Sequence, residues 1–267
     1  MQHIVYSNLL ISLGCGFLSF GFCHITALPH EEYYGIFALL GTFIVYNFQR
    51  LVKHHKIANK SPHLQWVGKH YKGLIFSLIL AAIGFIYSLF QVINWNTETF
   101  VLSGIVGAIC FFYIIPINHK NLRELPFLKI HLISIVWIFI VALFPLINEQ
   151  YNQLHYWLFG ASHYLYILAI CIPFDIRDLV HDKAEQKTIP QLIGIQSAKA
   201  IGVLCLIAFV VFSFYFMPML AESKLFLIAV LVQVFLVYFT TKTRDDLYFG
   251  GAIDGAILLL AFSYLLI

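Results

Sequence analysis

The stretch His155-Tyr-Trp-Leu-Phe-Gly-Ala-Ser-His-Tyr-Leu-Tyr-Ile-Leu-Ala-Ile-Cys-Ile-Pro-Phe174 runs straight into Asp175-Ile176-Arg177-Asp178-Leu179-Val180-His181-Asp182, and Thr188-Ile189-Pro190 closes it. A helix needs about 20 apolar residues to cross the hydrocarbon of a bilayer. The first part therefore predicts a membrane-spanning helix, and the second marks its exit into water. Asp175, Asp178 and Asp182 stand at i, i+3 and i+7. At about 100° per residue, Asp178 and Asp182 fall roughly 60° and 20° from Asp175, so the three share one face. Crowded like charges repel, and a bound cation would relieve the strain. Hard oxygen donors suit Mg²⁺, which takes one or two carboxylates together with substrate phosphates. A metal–diphosphate site at a membrane surface is one reading, and a solvated polar helix end is the other.

Composition assigns the class. The chain has 267 residues, is 61% hydrophobic and only 11% charged, and has a mean hydropathy of +0.85. Soluble domains carry roughly 25% charged residues, so a water-soluble core of this size is excluded and a polytopic membrane protein is expected. A net charge of +3 is too small to suggest a nucleic-acid partner. Cys15, Cys23, Cys110, Cys171 and Cys205 lie in or beside apolar stretches without zinc spacing, which predicts buried thiols. The N-terminal apolar run lacks a preceding Lys or Arg and is too long for a signal h-region, so it reads as a retained span.

Apolar segments near 4–28, 33–51, 72–93, 99–116, 130–147, 155–174, 198–218, 223–240 and 247–267 predict an all-α bundle of about nine transmembrane helices, one domain over 1–267. Of the 16 Lys and Arg, all but Lys224 fall around the loops that follow the second, fourth, sixth and eighth segments. Glu31, Glu32, Glu98, Glu149 and Glu222 mark the opposite side. By the positive-inside rule the basic loops and the N-terminus are cytoplasmic. An integral protein of a bacterial inner or plasma membrane is expected.

Nine helices with D-I-R-D-x-x-x-D after the sixth, then Thr188-Ile189-Pro190 and Gly194, resemble the UbiA superfamily of intramembrane prenyltransferases. That resemblance implies a UbiA-like fold and an isoprenyl diphosphate bound through Mg²⁺. It also implies transfer of the prenyl chain to an aromatic or other lipid-soluble acceptor, and Asp175, Asp178 and Asp182 as catalytic metal ligands. The loop Tyr113-Ile-Ile-Pro116-Ile-Asn-His-Lys120 with Leu125-Pro126 is similar to the family's Y-P-x-x-K-R loop, so Lys120, with Arg123 as alternate, would reach the diphosphate. The family's first motif, N-D-x-x-D-x-x-x-D, should end the second helix. Here Asn47 is in place, but Phe48, Leu51 and His55 stand where aspartates belong. Half the oxygen donors of a bridged Mg²⁺ cluster are therefore missing, and Arg50 and Lys53 bring positive charge instead.

Three consequences are open. Arg50 and Lys53 could take phosphate in place of one metal, since cationic side chains bind phosphate well. His54 and His55 could ligate a softer ion, although adjacent helical residues diverge by about 100°. Or transfer has been lost, leaving a lipid-binding scaffold. If the chain is an enzyme, Asn47 would orient a water or metal ligand, and Arg50, Lys53 and Lys120 would neutralise phosphate oxygens as the carbon–oxygen bond ionises. Aromatic faces such as Tyr46, Tyr113 and Tyr164 could line the path of a carbocation. Asp254, in Gly250-Gly251-Ala-Ile-Asp254-Gly255, is an intramembrane carboxylate: either a structural partner of Arg50 or a group that meets the acceptor. His163 is a packing histidine or a general base. A proton-coupled transporter using Asp254, His163 and His24 is the reading from another class.

Overall fold

The computed structural model describes residues 2–56, 61–94, 96–116, 121–180 and 184–267. Within a bilayer no water is available for backbone groups, so a spanning chain must pair them internally. Among the described residues every regular element is a helix. They are α1 (Gln2–Tyr6), α2 (Leu9–Ile25), α3 (Glu31–Lys56), α4 (Pro62–Lys69), α5 (Tyr71–Val92) and α6 (Thr97–Ile114). After these come α7 (Leu128–Asn148), α8 (Leu154–Asp178), α9 (Ile189–Phe216), α10 (Lys224–Tyr238) and α11 (Tyr248–Leu265).

Seven of them (α3, α5, α6, α7, α8, α9 and α11) are long and apolar enough to cross a membrane. The expected nine segments thus divide into these seven and the shorter apolar helices α2 and α10, of 17 and 15 residues. At about 1.5 Å per residue the short pair reach roughly 25 and 22 Å, less than a typical hydrocarbon core of about 30 Å. The first expected segment, 4–28, is divided because Asn8 adopts the left-handed conformation at φ 57° between α1 and α2, which asparagine tolerates better than most residues. The seventh, 198–218, starts nine residues early at Ile189 and is interrupted by Gly194, whose φ of +80° no helix can absorb.

The helices close into a ring. α2 packs between α3 and α11. From α11 the contacts continue through α10, α9, α8 and α7 to α6, which touches α3. Glycine makes the wedge at α2 possible: a Cβ on Gly16 would stand 2.6 Å from Leu39 Cβ and 2.9 Å from the Gly35 carbonyl oxygen. Close backbone approach supplies the packing that helices lack when their surroundings are as apolar as they are. Tyr34, Phe22, Phe144, Phe159, Phe209, Phe226 and Tyr264 fill the interior completely buried. α5 and α6, by contrast, are only 17% and 11% buried over their apolar windows. Phe76, Ile79, Ile83 and Phe90 of α5 face outward, as a lipid-facing surface requires.

Two π-helical stretches, Phe139–Leu143 and Tyr248–Ile253, widen α7 and α11. The first precedes Pro145, which has no N–H and would crowd the preceding turn of an α-helix. The second sets the phase at which Asp254 enters the bundle. The acidic end of the ring is closed by a network: Asn148 Nδ2 donates to Val92 O at 2.7 Å and Tyr34 OH at 2.6 Å, and Asn94 Nδ2 donates to Asn148 O at 2.8 Å. All the cysteines are free thiols, with Cys15, Cys23 and Cys171 buried and Cys110 and Cys205 partly so.

Candidate functional site

At the basic end the ring holds a chamber of about 140 Å³. α3 contributes Tyr46, Gln49 and Lys53, and α8 contributes Ile167, Cys171, Phe174, Asp175, Arg177 and Asp178. Arg123 and Lys129 come from the approach to α7 and from its first turn, and Asp254 from α11. A second, apolar pocket of about 80 Å³ reaches outward between α3, α6 and α7, lined by Val45, Ile109, Leu132 and Val136. Tyr46, Gln49, Tyr113, Ile133 and Trp137 belong to both walls, so the two spaces adjoin. The pair therefore sets a charged space beside an apolar one.

The charges are organised. Lys129 Nζ lies 3.0 Å from Asp175 Oδ1 and 3.1 Å from Asp178 Oδ2. Arg177 Nε donates to Asp178 Oδ1 at 2.9 Å, and its guanidinium lies over the rings of Phe174 and Phe249, 5.1 and 5.2 Å from their centroids. Asp175 and Lys129 are withdrawn from water, their side chains 1% and 9% exposed, while Asp178 and Arg177 remain partly exposed. Lys53 and Arg123 differ: neither makes an ion pair among the described residues, and Arg123 is the charge that Lys53 feels most strongly. Asp254 is nearly buried, its Oδ1 has no hydrogen-bond partner among the described residues, and it feels the charges of Arg177 and Arg50. The described lining carries four cations and three carboxylates.

Of the residues singled out in the sequence, the chamber brings together Asp175, Asp178, Lys53, Arg123 and Asp254. It does not include Asn47 or Arg50. Asn47 is fully buried and spends its amide on the N-terminus: Oδ1 accepts from Asn8, and Nδ2 donates to Ser7 O and Phe43 O, both at 2.9 Å. Arg50 Nη1 donates to Tyr6 O at 2.6 Å, which fastens α1 down. Asp182 and Lys120 lie outside the described residues. His163 is enclosed by Phe22, Phe159, Phe209 and Tyr264, with Nδ1 on Phe159 O and Nε2 on Tyr264 OH, a packing arrangement away from the chamber. His54 binds Leu64 O and His55 meets Tyr71, and the two imidazoles stand edge to face with centroids 5.7 Å apart.

The helix phase of α3 explains the altered motif. Tyr46, Gln49 and Lys53 form the chamber face at helical spacing. Phe48 is 41% exposed on the outer side, and Leu51 is buried with Val67 and Leu74 under α4 and α5. The positions where the resemblance would place aspartates therefore look away from the chamber. Sequence reading also missed Gln49 and Lys129. Lys129 passed as one more positive-inside residue, because no local pattern ties it to Asp178, 49 residues away.

Among the described residues, Asp175 and Asp178 are the motif carboxylates open to the Mg²⁺ that the resemblance implies, and they do not suit it. Each already holds a cation, and the described residues contain no group of three or more His, Cys, Asp or Glu able to hold a metal. Comparison with protein-family models, with curated proteins and with solved structures gives no match for this chain.

Proposed function

We propose that the chain is a UbiA-like integral membrane protein of nine spans, counting the short helices α2 and α10. In this reading it binds an isoprenyl diphosphate in the chamber and passes the prenyl chain to a lipid-soluble acceptor. The observation that carries the reading is the pairing of unlike spaces: Lys53 and Arg123, without ion pairs among the described residues, line a charged cavity that shares a wall with an apolar one. An anionic headgroup with a hydrocarbon tail matches both spaces at once. The basic side is taken as cytoplasmic from the distribution of Lys and Arg.

The chemistry follows from charge. The allylic carbon–oxygen bond breaks with its electron pair leaving on the diphosphate. Lys53 and Arg123 stabilise that growing negative charge in a poorly hydrated space, where preorganised cations act most strongly. The acceptor then bonds to the allylic carbon and gives up a proton. Asp254 is the chamber carboxylate with no ion pair among the described residues and has an unclaimed oxygen, so it takes that proton. Tyr46, Tyr113 and Trp137 present aromatic faces at the junction of the two spaces, suited to a passing carbocation.

A binding-only role is the second reading, favoured by the engagement of Asp175 and Asp178 with Lys129 and Arg177. Farnesyl diphosphate titrated into purified protein in lipid nanodiscs tests both. Binding is expected, and Lys53→Ala or Arg123→Ala should each weaken it about 10-fold, the loss of one charge-assisted hydrogen bond. Release of inorganic diphosphate from the bound ligand marks an enzyme, and binding without release marks the second role. No binding with or without Mg²⁺ would reject the proposal.

A further inference from the structure

We infer that Lys129 stands where a divalent ion would otherwise bridge Asp175 and Asp178, so that the chamber holds its anionic ligand without metal. This rests on the diphosphate reading for the ligand, but its central claim concerns the chain alone.

The geometry is that of an ammonium clamp. One nitrogen, Lys129 Nζ, reaches Asp175 Oδ1 at 3.0 Å and Asp178 Oδ2 at 3.1 Å, linking carboxylates one helical turn apart on α8. The contact with Asp178 is a charge-assisted hydrogen bond and that with Asp175 an ion pair. Mg²⁺ demands oxygens at about 2.1 Å in near-octahedral array and gives up its waters reluctantly. An ion entering between the two carboxylates would first have to displace a nearly buried ammonium, which is covalently tethered to α7 and cannot diffuse away. Arg177 holds the remaining oxygen of Asp178 from the other side, at 2.9 Å.

The sign of the lining agrees. A cavity lined by carboxylates alone repels a diphosphate until divalent ions invert its charge. Here α3 turns Gln49 and Lys53 to the chamber, and the described lining has four cations against three carboxylates. A diphosphate meets a positive cavity from the start. Lys129 neutralises the carboxylates while Lys53 and Arg123 are left for the ligand, so the tasks of a metal cluster are divided among fixed side chains.

The test uses Mn²⁺ as a probe of ligand-free protein in detergent, followed by electron paramagnetic resonance. Wild-type protein is expected to leave Mn²⁺ in its free spectrum. Lys129→Met, which strips the ammonium and keeps the length of the side chain, should acquire a bound Mn²⁺ signal that disappears in Lys129→Met/Asp175→Asn. Lys129→Gln provides the same reading if the methionine variant does not elute as a monodisperse species. A wild-type Mn²⁺ signal abolished by Asp175→Asn would overturn the inference, as would folded Lys129 variants that stay silent. In a separate arm, the affinity of wild-type protein for farnesyl diphosphate should agree within about twofold between EDTA and millimolar Mg²⁺. A strict Mg²⁺ requirement also overturns it. Should the Mn²⁺ arm succeed while no diphosphate binds in either buffer, the ammonium clamp stands and the ligand reading fails.

Discussion

Lys129 on α7 and Asp175 on α8 meet at 3.0 Å with their side chains 9% and 1% exposed, a buried ion pair joining helices on the wall of the chamber. Removing one partner of such a pair leaves the other charged and poorly solvated, which typically costs about 3–5 kcal/mol. Lys129→Met should therefore lower the thermal midpoint of the detergent-solubilised protein by several degrees. Lys129→Met/Asp175→Asn should recover part of the loss. A double variant as unstable as the sum of its singles would show that the pair is not coupled.

Restoring the expected aspartates will not restore a metal site, because of the phase of α3. Phe48→Asp places a carboxylate on the outer face and should leave Mn²⁺ binding unchanged. Leu51→Asp buries a charge against Val67 and Leu74 and should destabilise by about 3 kcal/mol or more. Lys53→Asp, on the chamber face, should lose diphosphate affinity both with and without Mg²⁺, because Lys129 still occupies Asp175 and Asp178. Isothermal titration with and without Mg²⁺ separates the three.

Asn47 serves the N-terminus. It makes three hydrogen bonds, to Asn8, Ser7 and Phe43. Asn47→Ala should speed amide exchange over residues 2–8 and cost about 1–3 kcal/mol of local stability, since a buried amide loses its partners. Diphosphate affinity should stay within about twofold of wild type. Hydrogen–deuterium exchange beside a binding isotherm reads both, and a large loss of affinity would give Asn47 a role at the ligand.

Asp254 should divide binding from turnover. Asp254→Asn keeps shape and hydrogen-bonding capacity but cannot take a proton. Farnesyl diphosphate affinity is expected to change by no more than about twofold, while transfer falls about 100-fold, the scale of a lost general base. Equal losses in both would make Asp254 a packing or charge-balancing residue.

Acid should loosen the contact between α1 and α4. The His63 ring stacks on Tyr6 at a centroid distance of 5.0 Å, and its Nε2 is buried without a partner among the described residues. Burial and the nearby Arg50 and Lys53 hold its pKa down, from 6.5 to about 2. The folded state thus keeps the ring neutral while the unfolded chain protonates near 6.5. Stability from this group is intact above that pH and drains away as pH falls below it toward the folded value. Proteolysis of the N-terminal segment should accelerate between neutral pH and pH values around 5, and His63→Phe should flatten the profile. Equal acid sensitivity in wild type and variant would remove His63 from the account.

Membrane class, most of the helical segments and the clustering of basic residues in alternate loops are legible in the chain's pattern alone. Those depend on length and hydropathy within one segment, and a bilayer leaves a continuous apolar run little choice but to form a helix. The pattern also located the exit of α8, because the carboxylates of Asp175 and Asp178 follow the apolar run directly. The partners of those carboxylates were a matter for the tertiary structure. Lys129 reaches them only because α7 and α8 pack side by side. The phase of α3 was likewise settled by packing: Leu51 fits under α4 and α5, which rotates Gln49 and Lys53 inward and leaves Asn47 and Arg50 to secure the N-terminus. Ion pairs between separate helices and the rotation of a helix about its own axis depend on what each helix touches, and a one-dimensional pattern does not carry that information.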